Sequence, residues 1–356
     1  MTERTALRIG LAGCLGGLEA LGAMGAIDAI LTAERAGLDG VWVNEEHLQR
    51  SFTPTGGSGS CLAPLTFLSF LAARSTQLRL GTTVLLLPLH HPLRLAEETA
   101  TLQLLSGGRL ELGVSPGHPG PYFEAFGVDV QQRYTDYDQT VCTLQQLWAG
   151  DTVDATTSQS TLRGASLSIR PDRPPRVYRG AYSDNSLQAA ARTGTPLIQH
   201  LIQSPDSLRH GREVYRSAAP DPDQATTLLA DSPVSRFVYL TDDDADADRA
   251  GLTRAEQLTE RLRRIGIDRR GGITLPADLD PNRFAHETAI VGTPTTVIAR
   301  LRELGEEVGT TTINCNLGWF GATTAPEVKR GLHLLTATVI PALTTSSAAS
   351  PASTVV

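Results

Sequence analysis

The sequence predicts an eight-stranded α/β barrel of the TIM type, with insertions. Three observations predict this fold. Apolar runs that fit buried strands alternate with stretches of helical period along nearly the whole chain. Eight strand candidates occur, and most are followed by a helix. No linker rich in proline, serine or glycine divides the 356 residues, so one domain is predicted over residues 1–343.

The clearest unit is Leu78–Gly117. Its apolar run Leu78–Leu87 is too short to span a membrane and has the composition of a buried parallel strand. Pro92 is suited to the start of a helix, and the helical pattern ends at Gly107. A second buried strand follows at Arg109–Ser115. Because α/β barrels build their sites at the carboxyl ends of strands, this unit also indicates where function lies.

The other elements follow the same alternation. The predicted strands are Arg8–Cys14, Gly40–Asn44, Arg176–Ala181, Pro196–His200, Val234–Thr241 and Thr311–Leu317. The predicted helices are Glu19–Ala36, Pro64–Arg74, Tyr134–Trp148, Asn185–Arg192, Asp206–Ser217, Asp246–Arg264, Thr295–Glu306 and Pro326–Leu343. A hairpin is predicted within Thr161–Ile169. The long polar stretch Gly266–Ile290 is a candidate mobile lid, and residues 344–356 are predicted to be a disordered tail.

An open, doubly wound sheet is the alternative fold. That fold would want a glycine-rich phosphate-binding turn after the first strand. Gly10–Gly22 is rich in glycine, but its spacing is loose, and a lone pattern of this kind is weak evidence. The barrel is therefore preferred.

Composition narrows the class of function. A net charge of −7 does not favour nucleic-acid binding, and no apolar stretch reaches the length of a membrane span. The four cysteines are far apart and form no metal-binding pattern. We therefore expect a cytoplasmic protein with reduced cysteines, without metal, nucleic-acid or membrane partners.

Four stretches resemble the bacterial luciferase-like superfamily of flavin- and deazaflavin-dependent oxidoreductases. They are AERAGLDGVWVNEEH at Ala33–His47, LRLGTTVLLLPLHHPLRLAEE at Leu78–Glu98, LSGGRLELGVSPG at Leu105–Gly117 and VGTPTTVIARL at Val291–Leu301. The resemblance extends from Arg8 to Leu343. It implies a barrel with a reduced flavin, usually FMN, at its C-terminal mouth, and frequently a dimer.

The resemblance also implies cofactor-binding residues. The third strand of such proteins carries a non-proline cis peptide beneath the flavin ring, and the matching bond is Thr83–Val84, preceded by Thr82. Ser115 ends the fourth strand. A phosphate site is predicted from the residues themselves, because a turn followed by a helix start offers backbone N–H groups and hydroxyls. Its residues are Gly180, Ala181, Tyr182, Ser183, Asn185 and Ser186. The alternative for this turn is simple helix capping.

Two departures from the family pattern concern the chemistry. The second strand of relatives often ends in Glu-His-His, whereas this chain has Glu45, Glu46 and His47. Glu46 and His47 are the candidate catalytic residues, since a carboxylate moves protons near neutral pH if burial raises its pKa. Luciferases also carry a cysteine and a phosphate-binding arginine where this chain has Ser115 and Pro116. Arg179 is then one source of compensating charge.

A mostly apolar set is predicted to line the substrate pocket, which favours a hydrophobic or aromatic substrate. These residues are Phe52, Leu62, His118, Tyr122, Phe123 and His200. Arg109 is expected to brace the barrel, and His90 and His91 are expected to pack in a loop.

Three functions follow from the resemblance. The first is a monooxygenase that uses reduced FMN from a separate reductase. The second is a deazaflavin-dependent hydride-transfer oxidoreductase, which suits Glu46 better. The third is a non-catalytic flavin-binding or partner subunit, because luciferase-like barrels also occur as paired chains, so the dimer is a homodimer or a heterodimer.

Overall fold

The computed structural model describes residues 6–48, 61–199, 201–265, 283 and 287–344. Two predicted substrate-site residues, Phe52 and His200, lie outside the described residues. The same holds for most of the predicted lid and for residues 345–356 of the predicted tail.

The strands of the described residues are mostly short and buried. They are β1 (Arg8–Ala12), β2 (Gly40–Val43), β3 (Arg79–Leu86), β4 (Leu110–Ser115), β5 (Val153–Thr156), β6 (Thr161–Ala165), β7 (Arg176–Gly180), β8 (Leu197–Ile198), β9 (Val234–Leu240), β10 (Ala289–Gly292) and β11 (Thr312–Asn316).

Helices follow most strands, as predicted. Those described are α1 (Gly22–Arg35), α2 (Pro64–Ala72), α3 (Pro92–Leu105), α4 (Pro121–Ala125), α5 (Arg133–Ala149), α6 (Asp184–Arg192), α7 (Pro205–Ala218), α8 (Pro222–Asp231), α9 (Asp244–Ile265), α10 (Pro294–Val308), α11 (Ala325–Leu334) and α12 (Ile340–Thr344). No described helix is both long enough and apolar enough to cross a membrane.

The strands form a parallel α/β sheet, which confirms the predicted fold class. Over the described residues the order is β10-β9-β11-β1-β2-β3-β4-β7-β8. The two sides of this order meet, because Gln199, directly after β8, forms a parallel bridge with Val234 of β9. The Gln199 N–H donates to the Pro233 carbonyl at 3.3 Å, and the Ser235 N–H donates to the Gln199 carbonyl at 3.4 Å. Eight strands thus surround a common interior, with β10 added beside β9.

Three elements differ from the prediction. The hairpin pairs β5 with β6, so the prediction found only its second strand, because β5 is short and half of its side chains are polar. β10 begins inside the stretch predicted as a lid. α8 was missed, although Asp221 accepts hydrogen bonds from its first turn and Pro222 begins it.

The interior of the barrel is filled by Trp42 of β2. Its ring is fully buried and lies edge-on to Tyr178 of β7, with centroids 5.4 Å apart. Gly81 on the neighbouring strand makes room, since a Cβ there would lie 2.2 Å from the Trp42 ring. Below Trp42, Arg79 bonds Asp39 at 2.9 Å and Glu111 at 3.1 Å. Charged pairs therefore close the amino end of the barrel.

Arg109 braces the barrel, as predicted. Its guanidinium donates to the carbonyls of Ala72, Ser75, Leu78 and Ser106, at 2.7–3.1 Å. These bonds join β4 to α2 and β3. A half-buried arginine with this many backbone acceptors is a structural residue.

The cysteines correct one expectation. Cys14, after β1, and Cys61, before α2, form a disulfide with Cα atoms 4.7 Å apart. The expectation of four reduced cysteines is therefore wrong for this pair, whereas Cys142 and Cys315 are free thiols. Sequence separation concealed the pair, because Cys14 and Cys61 are 47 positions apart and no local pattern links them.

Candidate active site

The candidate site lies at the carboxyl ends of β2, β3, β4 and β7. These strands run parallel and pair with one another in that order. Their carboxyl ends therefore share one rim of the barrel, where α/β barrels build their sites. The connections that leave these strands carry most of the described residues that the sequence singled out.

Glu45 lies at the rim, two positions after the end of β2, and bonds groups from several connections there. Its buried carboxylate accepts a hydrogen bond from the Leu86 N–H at 2.6 Å. The same carboxylate lies 3.0 Å from His47 Nε2 and 2.8 Å from His90 Nε2. Burial opposes its ionisation, but these hydrogen bonds outweigh it and lower the pKa of Glu45 to about 2. Glu45 is thus a fixed negative charge that ties β2 to the end of β3.

Glu46 has the opposite character. Its side chain is half-buried, and desolvation raises the pKa of this carboxyl to about 7, with His47 lowering it and Glu45 raising it. The pKa values of these two adjacent carboxyl groups are therefore about 2 for Glu45 and about 7 for Glu46. This is the arrangement that lets one carboxyl carry charge while the other exchanges protons near neutral pH.

An aromatic wall stands beside His47. The His47 ring lies 4.6 Å from Phe126 and 6.5 Å from Tyr122, centroid to centroid. Tyr122 packs on Phe123 at 5.2 Å. Both belong to a buried apolar cluster that also contains Leu86, Leu89 and Val128. His47 therefore has one edge on a carboxylate and one face on the apolar wall.

The residues predicted to form a flavin platform lie in the second half of β3 and at the ends of β4 and β7. The Thr83–Val84 peptide is cis, as the resemblance implies. A Cβ added to Gly180 would lie 3.4 Å from both Val84 Cγ1 and Ser115 Cβ, so these three residues converge. Thr82 differs, because it is fully buried and its hydroxyl donates to the Gly113 carbonyl at 2.8 Å. The Thr82 hydroxyl therefore bonds the backbone of the neighbouring strand β4, within the wall of the barrel.

The predicted phosphate turn begins α6. Ser183 is the N-cap, and its Oγ accepts from the Ser186 N–H at 3.3 Å. Ser186 Oγ accepts from the Tyr182 N–H at 3.2 Å. Ala181 is buried, whereas Asn185 is exposed. Helix capping and an anion cradle thus use the same groups.

Two charged residues near this turn point elsewhere. Asp184 turns to His210, with 3.1 Å between Oδ1 and Nε2, so its carboxylate is directed at α7. Arg179 lies over the Tyr137 ring at 4.6 Å and 3.5 Å from Asp138. The suggestion that Arg179 compensates a phosphate charge is therefore wrong, because alternation along β7 sends its side chain outward onto α5.

Two described pocket predictions lie at the edge of the rim. His118 is exposed, yet its ring lies 5.8 Å from Tyr122. The Tyr122 hydroxyl donates to the His118 carbonyl at 2.5 Å. Leu62 is exposed by 41% and follows the disulfide-bonded Cys61. Tyr122 and Phe123 are thus the predicted pocket residues that the structure brings to the wall.

His90 was wrongly assigned to loop packing. It bonds Glu45 across 45 positions of sequence, whereas its neighbour His91 is exposed. The sequence position of His90 could have indicated this role, because His90 comes four residues after the end of β3 and therefore lies at the rim. The Glu45 bond and charge raise the pKa of His90 against the effect of burial.

The comparisons with known proteins agree with this architecture. The family model described as luciferase-like monooxygenase matches residues 17–312. Limonene 1,2-monooxygenase from Rhodococcus erythropolis is 25% identical over 283 residues, which are 78% of this chain and 70% of that protein. F420-dependent glucose-6-phosphate dehydrogenase from Beutenbergia cavernae is 34% identical over 176 residues, which are 47% of this chain and 49% of that protein.

A solved structure supports the fold independently. The crystal structure of monooxygenase RslO1 from Streptomyces bottropensis superposes with a TM-score of 0.71, covering 94% of this chain and 99% of that one at 23% identity. Since the family model covers most of the chain, the assignment does not depend on any one relative. The chain belongs to the luciferase-like monooxygenase family.

Proposed function

We propose that this protein is a flavin-dependent monooxygenase that uses reduced FMN and dioxygen on a hydrophobic or aromatic small molecule. The observation that carries this proposal is the aromatic wall that Tyr122, Phe123 and Phe126 form against the His47 ring, because a hydrophobic or aromatic substrate needs an apolar binding surface. Glu46, next to His47 in sequence, adds a half-buried carboxyl whose pKa desolvation raises to about 7, and such a group exchanges protons at physiological pH.

The residues at the rim fit a flavin. Gly180 leaves open the space that a side chain would fill beside Val84 and Ser115, which suits a flat ring system. Ser183, Ser186 and the first N–H groups of α6 would hold the phosphate. When bound, reduced FMN supplies the electrons that place one oxygen atom of dioxygen on the substrate and reduce the other to water.

The residues of the chain then have separate tasks. Glu46 accepts a proton at its carboxylate, because its pKa lies near working pH. Glu45 stays ionised and orients His47. Tyr122 and Phe123 bind the apolar substrate and exclude water, which strengthens every electrostatic interaction inside the site.

The family relatives support this proposal, since one is named as a monooxygenase of limonene, a hydrophobic compound. We further propose that a separate reductase supplies the reduced flavin and that the protein acts as a dimer. Reductase dependence is tested by coupling to a flavin reductase, and assembly by light scattering on the purified protein.

Deazaflavin-dependent hydride transfer is the second candidate. Glu46 favours it, because a carboxyl replaces the histidine that family oxygenases often place there. A relative named as F420-dependent supports it too, although the alignment spans about half of that protein's length.

Titration with oxidised FMN, reduced FMN and F420 distinguishes the candidates. We expect reduced FMN to bind tightly and, with an aromatic substrate panel, to incorporate ¹⁸O from ¹⁸O₂ into product. Binding of F420 alone, with substrate-dependent change of its absorbance, would establish the second candidate. Binding of neither cofactor would contradict both and support a partner subunit.

A further inference from the structure

One carboxylate, that of Glu45, is shared by two imidazoles. His47 Nε2 lies 3.0 Å from Oε1, and His90 Nε2 lies 2.8 Å from Oε1 and 3.0 Å from Oε2. An ionised carboxylate only accepts hydrogen bonds, so both histidines carry their proton on Nε2. The Glu45 side chain is 3% exposed, which leaves water little part in this arrangement.

The two imidazoles come from different elements. His47 belongs to the connection after β2, next to Glu46. His90 follows the short turn Leu87–Leu89, whose backbone accepts the His90 N–H at Leu87. The Glu45 N–H donates to the Val84 carbonyl at 3.3 Å. His90 is therefore held on the β3 side and reaches across to a carboxylate held on the β2 side.

We propose that His90 is a positioning residue that acts through Glu45: it neutralises and orients that carboxylate, and so sets the pH at which the neighbouring Glu46 ionises. This inference rests on the proposed role of Glu46 as the proton acceptor.

The charges around Glu45 give the effect its sign. The groups that face it are His47 from its own connection, the Leu86 N–H from β3 and His90 from the turn before α3. Glu98 of α3 acts on His90. Glu45 disfavours ionisation of Glu46, and His47 favours it. Because the His90 Nε2–H faces the Glu45 carboxylate and offsets part of its charge, removing His90 should make Glu46 harder to ionise.

Two variants at this contact should move the ionisation of Glu46 in opposite directions. His90→Gln leaves the Glu45 charge less compensated, so the midpoint should rise by about 0.5–1 pH unit. Glu45→Gln removes that charge but keeps an acceptor for Leu86 and His90, so the midpoint should fall. His91→Gln is the matched control, because His91 is the exposed adjacent histidine, and its midpoint should equal that of the wild type.

The midpoint is read in two ways. Carboxyl ¹³C NMR of labelled protein without cofactor measures the ionisation of Glu46 directly, and the spectrum of Glu46→Gln identifies its signal. The pH profile of kcat measures the same ionisation during turnover. If His90→Gln simply loosened the site, water would reach Glu46 and its ionisation midpoint would fall. A higher midpoint in His90→Gln therefore reports the loss of charge compensation at Glu45. An unchanged or lowered NMR midpoint in folded His90→Gln overturns the inference. The expected NMR shifts with no matching kcat profile would instead contradict the proposed function.

Discussion

Glu45 Oε1 and His90 Nε2 lie 2.8 Å apart, although 45 positions separate the residues in sequence. The contact spans the ends of two adjacent parallel strands, so it forms only when β2 and β3 are in register. Glu46, the proposed proton acceptor, is therefore adjacent to a contact that depends on correct folding of the barrel.

Replacing Glu46 tests the chemistry. Glu46→Gln should lower kcat by about 100-fold or more while leaving the Kd for reduced FMN nearly unchanged. Because the pKa of Glu46 is raised to about 7, wild-type activity should rise with pH through neutrality as the carboxylate forms. Stopped-flow turnover between pH 5 and 9 measures both effects.

Glu97→Gln is a suitable control for that experiment, because Glu97 is an exposed carboxyl on α3. Its profile should match the wild type. If Glu46→Gln keeps full turnover and the same pH dependence, Glu46 has no part in the mechanism.

The turn before α6 is tested by comparing two flavins. Ser183→Ala combined with Ser186→Ala should weaken FMN binding roughly tenfold or more, since a hydrogen bond to a charged group contributes about 1.5–3 kcal/mol. Riboflavin has no phosphate, so its Kd should not change. Equal losses for both flavins would assign these hydroxyls to helix capping alone, and fluorescence titration decides between the two.

Gly180 is tested by adding volume in steps. A Cβ at this position makes ordinary contact at 3.4 Å with Ser115 and Val84, so Gly180→Ala should fold and bind flavin. Gly180→Val adds methyl groups where we place the ring and should abolish binding without changing the circular dichroism spectrum. Normal flavin affinity in Gly180→Val would locate the ring elsewhere.

The disulfide is tested by counting thiols and measuring stability. Denatured, unreduced protein should show two reactive thiols, Cys142 and Cys315, and reduced protein four. Opening a loop of 47 positions should lower the free energy of unfolding by about 4 kcal/mol. Urea unfolding of the oxidised wild type, the reduced wild type and Cys14→Ser measures this loss, and four thiols in unreduced protein would refute the bond.

The sequence predicts the elements of this fold better than the contacts between them. The strands and helices follow from local period and from end residues such as Pro92, and the prediction that Arg109 braces the barrel is confirmed by its backbone contacts. Arg179 shows one limit of prediction from sequence, because successive side chains along β7 face opposite sides of the sheet. An error of one residue in that alternation exchanges a site residue for an exterior one. His90 shows another, because its partner comes from a different strand, and no local pattern encodes that meeting.

The tight filling of the barrel by Trp42 has a consequence for engineering this protein. Trp42 lies on β2, three positions before Glu45, and its ring occupies the space that Gly81 leaves open. Enlarging residue 81 would push on the indole and, through the β2 backbone, on the carboxylate that holds two histidines. Substitutions far below the rim are therefore expected to alter catalysis while the protein still folds, and a screen confined to pocket-lining positions would miss them.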